Sequence, residues 1–209
     1  HGRSRAHRRP RMVDSGSIGV LVYQGDFDRH LQLLSAMGRR AVGVRNPEDL
    51  VGLAGLVIPG GESTTIGMLM NRFDLIEPIR ERALAGMPVL GTCAGAILLA
   101  KTITNSEQPR LGLMDIEIER NAYGRQIESF EADIELSTVN AGNDGPLRAV
   151  FIRAPIIRNV SAEVEVLASF EGTPVVARQG NVVAATFHPE LSGESRVHEL
   201  LFGAGAQER

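Results

Sequence analysis

The chain has 209 residues, 43% of them hydrophobic, with 22 basic and 25 acidic side chains and a net charge of −3. That length suits one domain with a real core. A single cysteine, Cys93, excludes an internal disulfide framework and points to a reducing, cytoplasmic setting, and no apolar stretch reaches the ~20 residues needed to span a bilayer.

Charge is unevenly placed. Residues 1–12 carry Arg3, Arg5, Arg8, Arg9 and Arg11 and no acid; without these five, 17 basic residues face 25 acids, leaving −8 for the rest. The segment 1–12 reads as a disordered basic leader or a remnant of expression, with Met12 as the natural start. Residues 13–209 read as one domain. A basic arm could also bind nucleic acid, but nothing else in the chain supports that reading.

Ser17 to Tyr23 is an apolar first strand. Gln24-Gly25-Asp26 forms a turn with Asp26 as a helix cap, and Phe27 to Met37 has helical periodicity ending at Gly38. Arg40 to Val44 is a second strand, and Asn46-Pro47 opens a short helical segment. Gly55 to Pro59 is a third strand, closing at Gly60-Gly61. Helices follow over about 63–70, where Ser63 is the expected cap, and 74–84. Met87 to Leu90 is a fourth strand, and Ala96 to Lys101 a helical run. Nearly all-apolar strands alternating with helices imply an α/β fold: a mostly parallel sheet covered by helices on both faces. Ligands of such sheets bind beyond the carboxyl ends of the strands, where Gln24, Gly60–Ser63 and Cys93 should meet. After Leu111 the pattern alternates, over 114–120 and 130–136, and predicts an antiparallel β portion in the second half. Gly142 to Pro146 is a loop. Further strands are expected near 150–152, 164–169, 174–178 and 182–187, before a terminal helix over 195–202.

Cys93 stands in Gly91-Thr92-Cys93-Ala94-Gly95, between a strand and a helix. A nucleophile at such a bend is a nucleophile elbow, and the helix N-terminus favours thiolate. The plain alternative is an inert buried cysteine. A thiolate needs a base and an orienting group behind it. His1 and His7 lie in the arm, and His30 and His198 fall in helical patterns as surface or packing residues. His188, at a strand end in His188-Pro189-Glu190, is the candidate base. If the segment stays extended, Glu190 projects to the same side and can accept from one imidazole nitrogen. The plain alternative is a strand-end histidine beside a solvated acid. An oxyanion would find one donor in the Ala94 N–H and a second in the loop Pro59-Gly60-Gly61-Glu62-Ser63. Alternatives on the residues alone are a Cys-elbow hydrolase of related fold and a binding subunit without turnover.

Pro59–Ser63, Gly91–Gly95 and His188–Glu190, in that order, resemble the class I, triad-type glutamine amidotransferases, whose domain is flavodoxin-like. The form Gly60-Gly61-Glu62-Ser63-Thr64-Thr65, with Arg120-Asn121-Ala122-Tyr123-Gly124-Arg125-Gln126 and Phe151-Ile152-Arg153-Ala154-Pro155, is similar to the glutaminase subunits of pyridoxal 5'-phosphate synthases. The resemblance runs from about Ile18 to Phe202. It implies Cys93 as nucleophile, His188 as general base and acid, and Glu190 as third member. Gly61, Glu62, Ser63, Arg120, Ile152 and Arg153 would bind glutamine, and Gly61 and Ala94 would form the oxyanion hole. Gln24 is expected nearby. Tyr23, where the family often has an aliphatic residue, is expected to affect packing. The resemblance further implies no metal, no cofactor, no nucleic acid and no membrane. It implies instead a synthase subunit as partner, in a hetero-oligomer of many copies, without which the chain is weakly active. A class I glutaminase feeding a different synthase is the remaining rival.

Overall fold

The computed structural model describes residues 16–25, 27–120, 129–137 and 145–203. The basic arm, Asp26, the segment 121–126 and most of the 142–146 loop lie outside the described residues.

The first half follows the alternation of the sequence. β1 (Ile18–Leu21), β2 (Ala41–Val44), β3 (Gly55–Ile58) and β4 (Val89–Thr92) are strands, and α1 (Phe27–Ala36), α2 (Ser63–Arg72) and α3 (Ile76–Leu84) are the intervening helices. Pro47–Leu50 is a 3-10 turn, opened by Asn46 with Pro in its first turn. All four residues of β1, of β3 and of β4 are buried, as strands covered on both faces must be.

The second half contributes β5 (Ala100–Ile103), β6 (Met114–Glu119), β7 (Ser129–Ile134), β8 (Leu147–Ile152), β9 (Ile156–Val160), β10 (Glu165–Phe170), β11 (Thr173–Gln179) and β12 (Val182–Ala185). The central sheet has seven strands in the order β10-β11-β12-β4-β3-β1-β2. Its five strands from β12 to β2 are mutually parallel, while β10 and β11 extend it antiparallel. A three-stranded sheet β5-β6-β9 and the hairpin β7-β8 complete the β structure among the described residues.

One expectation needs correction, and two features went unspecified in the sequence reading. The helix after Cys93, α4, spans only Ala94–Leu99; Ala100 already begins β5, which pairs with β6 and so draws Lys101 out of the helix. Second, β12 joins the antiparallel portion to the parallel sheet, a place the sequence reading did not specify. It pairs antiparallel with β11 on one side and parallel with β4 on the other, Ala185 opposite Thr92, so the segment leading to His188 runs beside the one leading to Cys93. Third, β9 has no counterpart in the sequence reading; it is held by pairing with β6.

Two cores flank the sheet. One joins α2, α3 and α4 with β5 and β6, and the other joins α1, the hairpin β7-β8 and the terminal helix α5 (Arg196–Phe202). Phe151, fully buried, stacks at 4.6 Å on Phe130 and meets Phe187 at 5.5 Å. This aromatic contact fixes β8 against the end of β12 and sets Ile152 and His188 on one edge. Tyr23 is a packing residue as expected: it stacks on Phe73 at 5.7 Å, and its hydroxyl donates to the Arg45 carbonyl at 2.5 Å. No helix among the described residues is long and apolar enough to cross a membrane.

Candidate active site

The bend at Cys93 is strained. Cys93 has φ 52° and ψ −107°, a conformation that a side-chain-bearing residue rarely adopts. Neighbouring backbone holds it there: its N–H donates to the Ala185 carbonyl at 2.8 Å, and its carbonyl accepts from Ala96 and Ile97 in the first turn of α4. Glycine makes the turn possible. A Cβ on Gly91 would stand 2.4 Å from the Gly95 carbonyl oxygen, and one on Gly95 1.9 Å from that of Ile58. The Cys93 side chain is 7% exposed, and its Sγ donates to the Ile152 carbonyl at 3.7 Å.

His188 arrives at the same point from β12, its backbone N–H held by the Val150 carbonyl of β8 at 2.8 Å. Its Nδ1 lies 2.6 Å from Glu190 Oε1, with Glu190 fully buried at its side chain. The pairing does not come from an extended segment, as the sequence suggested. Pro189–Leu191 is a 3-10 turn with proline in its first turn, and this turn carries Glu190 back to the imidazole. With Nδ1 taken by the carboxylate, Nε2 is the nitrogen left for Cys93. Burial pushes the His188 pKa down, but hydrogen bonds to Cys93 and Glu190 and their charges outweigh it and raise the pKa to about 10. A proton on His188 is therefore stabilised at neutral pH. Cys93, a protonated His188 and the buried Glu190 carboxylate are thus linked, the kind of groups that acyl transfer through a thioester uses.

The loop after β3 closes over this group. A Cβ on Gly60 would lie 2.6 Å from His188 Cε1 and 3.5 Å from Cys93 Cβ, so the Gly60 backbone borders both. Gly61 has φ 145°, a backbone open to glycine. The Glu62 N–H donates to Gln24 Oε1 at 2.7 Å. Gln24, Gly60–Glu62 and Cys93 thus converge at the carboxyl edge of the sheet, as the alternation of strands and helices suggested.

The cap of α2 is Glu62 rather than Ser63. Its carboxylate accepts from the Thr64 and Thr65 N–H groups at 3.2 and 2.7 Å and from the Thr65 hydroxyl at 2.8 Å. Burial works against ionisation, but these bonds lower its pKa overall. Ser63 is the buried first residue of the helix. Arg120 lies against the same helix, its Nη1 donating to Thr64 Oγ1 at 2.7 Å. Ile152 is 38% exposed beside Cys93, and Arg153 has φ 45° and is exposed. Ala94 opens α4 directly after Cys93, where helix N–H groups lack intrahelical partners.

Two residues read from the sequence as surface or packing groups belong to this neighbourhood. His30 of α1 and His198 of α5 are both 0% exposed, and His30 Nε2 stands 3.4 Å from Glu190 Oε2. One signal existed. His30 occupies an apolar stripe position of α1, three residues after Phe27 and four before Leu34, where burial requires a polar partner. Among the described residues, no group of three or more His, Cys, Asp or Glu side chains could hold a metal ion.

Residues 20–204 match the SNO glutamine amidotransferase family. The chain is 55% identical over 181 residues to pyridoxal 5'-phosphate synthase subunit PdxT of Pelotomaculum thermopropionicum, covering 87% of this chain and 91% of that one. It is 49% identical over 205 residues to the protein of the same name from Nocardioides sp., covering 95% and 100%. Among solved structures, one described as a glutamine amidotransferase is 47% identical and superposes with a TM-score of 0.83, over 89% of this chain and 97% of that one. PurLQS from Thermotoga maritima, 17% identical with a TM-score of 0.66 over 88% and 92%, shares the fold.

Proposed function

The chain belongs to the SNO glutamine amidotransferase family, and from that premise we propose that it hydrolyses L-glutamine to L-glutamate and ammonia. The ammonia passes to a partner synthase subunit that makes pyridoxal 5'-phosphate from ribose 5-phosphate and glyceraldehyde 3-phosphate. The observation that carries this reading is the buried line of Cys93, His188 and Glu190 at the strained strand-to-helix bend.

In the first half-reaction the Cys93 thiolate attacks the side-chain amide carbon of glutamine. The carbonyl oxygen becomes an oxyanion, taken by the N–H groups of Ala94 and Gly61. The tetrahedral intermediate collapses as the C–N bond breaks, and the His188 Nε2 proton goes to the departing nitrogen, which leaves as ammonia. Neutral His188 then removes a proton from water, and the hydroxide attacks the γ-glutamyl thioester. The second intermediate expels the Cys93 thiolate, and glutamate leaves. Glu190, bonded to Nδ1, keeps Nε2 pointed at the reacting atoms throughout.

Gly61, Glu62, Ser63, Arg120, Ile152 and Arg153 are assigned to glutamine. Arg120, held by Thr64, offers a guanidinium to the α-carboxylate. The Glu62 side chain is engaged as a helix cap, so its contribution is through the backbone of its loop. The route uses only groups of the chain and water, with no metal or cofactor. The assignment of a synthase partner is supported by the name borne by relatives at about half identity, and a hetero-oligomer of many copies is proposed with it. A reduced Cys93 fits a cytoplasmic setting.

The test is glutamate release by the wild-type chain and Cys93→Ala, each with and without a pyridoxal 5'-phosphate synthase subunit. Stimulation by that subunit, absent in Cys93→Ala, is expected. Activity indifferent to the subunit removes the synthase assignment, and no activity in any combination removes the glutaminase.

A further inference from the structure

Behind the Glu190 carboxylate lies a buried polar chain that the reaction above does not use. His30 Nε2 is 3.4 Å from Glu190 Oε2 and 3.3 Å from Thr92 Oγ1, and His30 Nδ1 is 2.9 Å from His198 Nε2. The two imidazoles are tilted by 39° with centroids 5.1 Å apart. Both histidines and Thr92 are 0% exposed.

The chemistry of the neighbours fixes where the protons sit. A carboxylate only accepts. Glu190 Oε2 is buried and has no hydrogen-bond partner among the described residues, and His30 Nε2 stands 3.4 Å from it in electrostatic rather than hydrogen-bonding contact, so a lone pair of His30 aimed at it would be repelled. His30 must carry its proton on Nε2, between Thr92 Oγ1 and Glu190 Oε2. Its Nδ1 is then an acceptor, and His198 Nε2–H must be the donor at 2.9 Å. His198 Nδ1 is left as an acceptor, and it is the ring atom that has no hydrogen-bond partner. An unpaired buried acceptor at the end of the chain costs less than an imidazole lone pair facing a carboxylate would.

We infer that His30 is a positioning residue of this site: as a neutral imidazole held in one tautomer by His198, it anchors Glu190 Oε2 so that Oε1 stays on His188 Nδ1. The inference rests on the glutaminase reading for its reaction, but the geometry it invokes lies within the chain.

Charge agrees with the role. Burial, then His198 and His188, hold the His30 pKa well below its ordinary value, and burial alone pushes His198 down to about 4. Neither carries a proton that would neutralise Glu190 at neutral pH. The other titratable groups that face the cluster are Glu190 and His188 on the turn after β12, and Cys93 after β4. A charged His30 would draw Glu190 away from His188, whereas a neutral one supplies a dipole and leaves the negative charge to His188.

Two amide variants separate positioning from packing. The amide nitrogen of Gln overlays imidazole Nε2 and keeps a donor toward Glu190, whereas the amide of Asn reaches only the place of Nδ1, toward His198. Both are polar and near in size to the imidazole. The first measurement is the pH profile of iodoacetamide alkylation at Cys93 in the full-length chain, which requires neither glutamine nor a partner. With His30→Asn the acid limb should move up by about one pH unit, the worth of one hydrogen bond to a charged group. With His30→Gln it should stay near the wild type. The second measurement is glutamate release with the synthase subunit present. Here kcat should fall on the order of tenfold for Asn and under threefold for Gln, with KM nearly constant in both. Equal losses in the two variants, no loss in either, or an acid limb in His30→Asn that stays or moves down overturns the inference. A glutaminase failure shows separately, as wild-type protein that alkylates normally but releases no glutamate.

Discussion

Gly95→Ala is the substitution to which the site should be most sensitive without loss of any functional group. Gly95 is the second residue of α4, where the first turn of the helix lies directly on β3. A Cβ there would be 1.9 Å from the Ile58 carbonyl oxygen and 2.9 Å from its carbon, where ordinary contact begins at 3.4 Å. The shortfall is about 1.5 Å, and neither side yields easily. Ile58 is buried between β1 and β4, paired with Gly91 in β4, and Gly95 is pinned from behind by Gly91. Overpacking against side chains costs ~1–3 kcal/mol. Against backbone, which has no rotamer to change, the cost is at the upper end of that range, ~3 kcal/mol. The better helix propensity of alanine offsets ~1 kcal/mol of it, so a net loss of ~2 kcal/mol is expected. Relief by lifting α4 would displace the Cys93 bend by about an ångström, a misplacement worth roughly 100-fold in rate.

The assay is urea unfolding, with the midpoint lowered at unchanged slope, run beside Cys93 alkylation at pH 7. Gly43→Ala is the control. Its Cβ would meet only Val22 methyls, at 3.2 and 3.3 Å, which can shift, so its stability should stay within about 1 kcal/mol of the wild type. A Gly95→Ala midpoint at or above the wild type, with alkylation unchanged, would refute the claim that helix and strand meet here backbone to backbone.

Two further outcomes follow from the same contacts. In Gly60→Ala the new methyl would press on His188 Cε1 at 2.6 Å, on a ring already tied to Glu190; partner-stimulated glutamate release should drop at least 100-fold while the urea midpoint moves less than in Gly95→Ala, and retained activity would show that the ring has room. For pH, His198 has its pKa pushed from 6.5 to about 4 by burial. Between those values the unfolded chain binds a proton that the folded chain refuses, so stability falls as pH drops from 6.5 toward 4, by up to ~3 kcal/mol from this group. His30 acts in the same direction. His198→Phe should lose less stability than wild type between pH 7 and 4.5, and an equal loss in both would contradict the burial of a neutral imidazole.

Much of the parallel half was legible because its signals are local. Apolar runs such as Gly55–Ile58, punctuated by Gly60-Gly61 and followed by helical periodicity, specify strand, turn and helix within a few residues. The failures are the elements fixed by distant partners. Nothing in Ala96–Lys101 marks a stop at Leu99; the helix ends because Ala100 pairs with Met114. The register of Val182–Ala185, parallel beside Val89–Thr92, joins segments some ninety residues apart, and single-sequence alternation says nothing about the direction of pairing. Ile156–Val160 carries Arg158 and Asn159 on an exposed end, so its hydrophobic pattern is too weak to read before its place beside β6 is known.

The site divides in the same way. Cys93 could be read because glycines at 91 and 95 announce a bend that few other uses of a cysteine need. His188 and Glu190 could be paired by their closeness in the chain, although for a wrong geometric reason: the pairing was read from an extended segment, but Pro189 starts a turn, and the turn makes the 2.6 Å contact. His30 and His198 could not be placed, since their contact with each other joins positions 168 residues apart. Yet a buried carboxylate has two oxygens, and only one of Glu190's is occupied by His188. Any chain that buries such a group must supply a donor for the second oxygen or bear its desolvation. A histidine at an apolar stripe position of the first helix is the residue that the fold delivers within 3.4 Å of that oxygen. The requirement could be stated from chemistry alone, whereas the residue standing beside it could be named only once the fold was known.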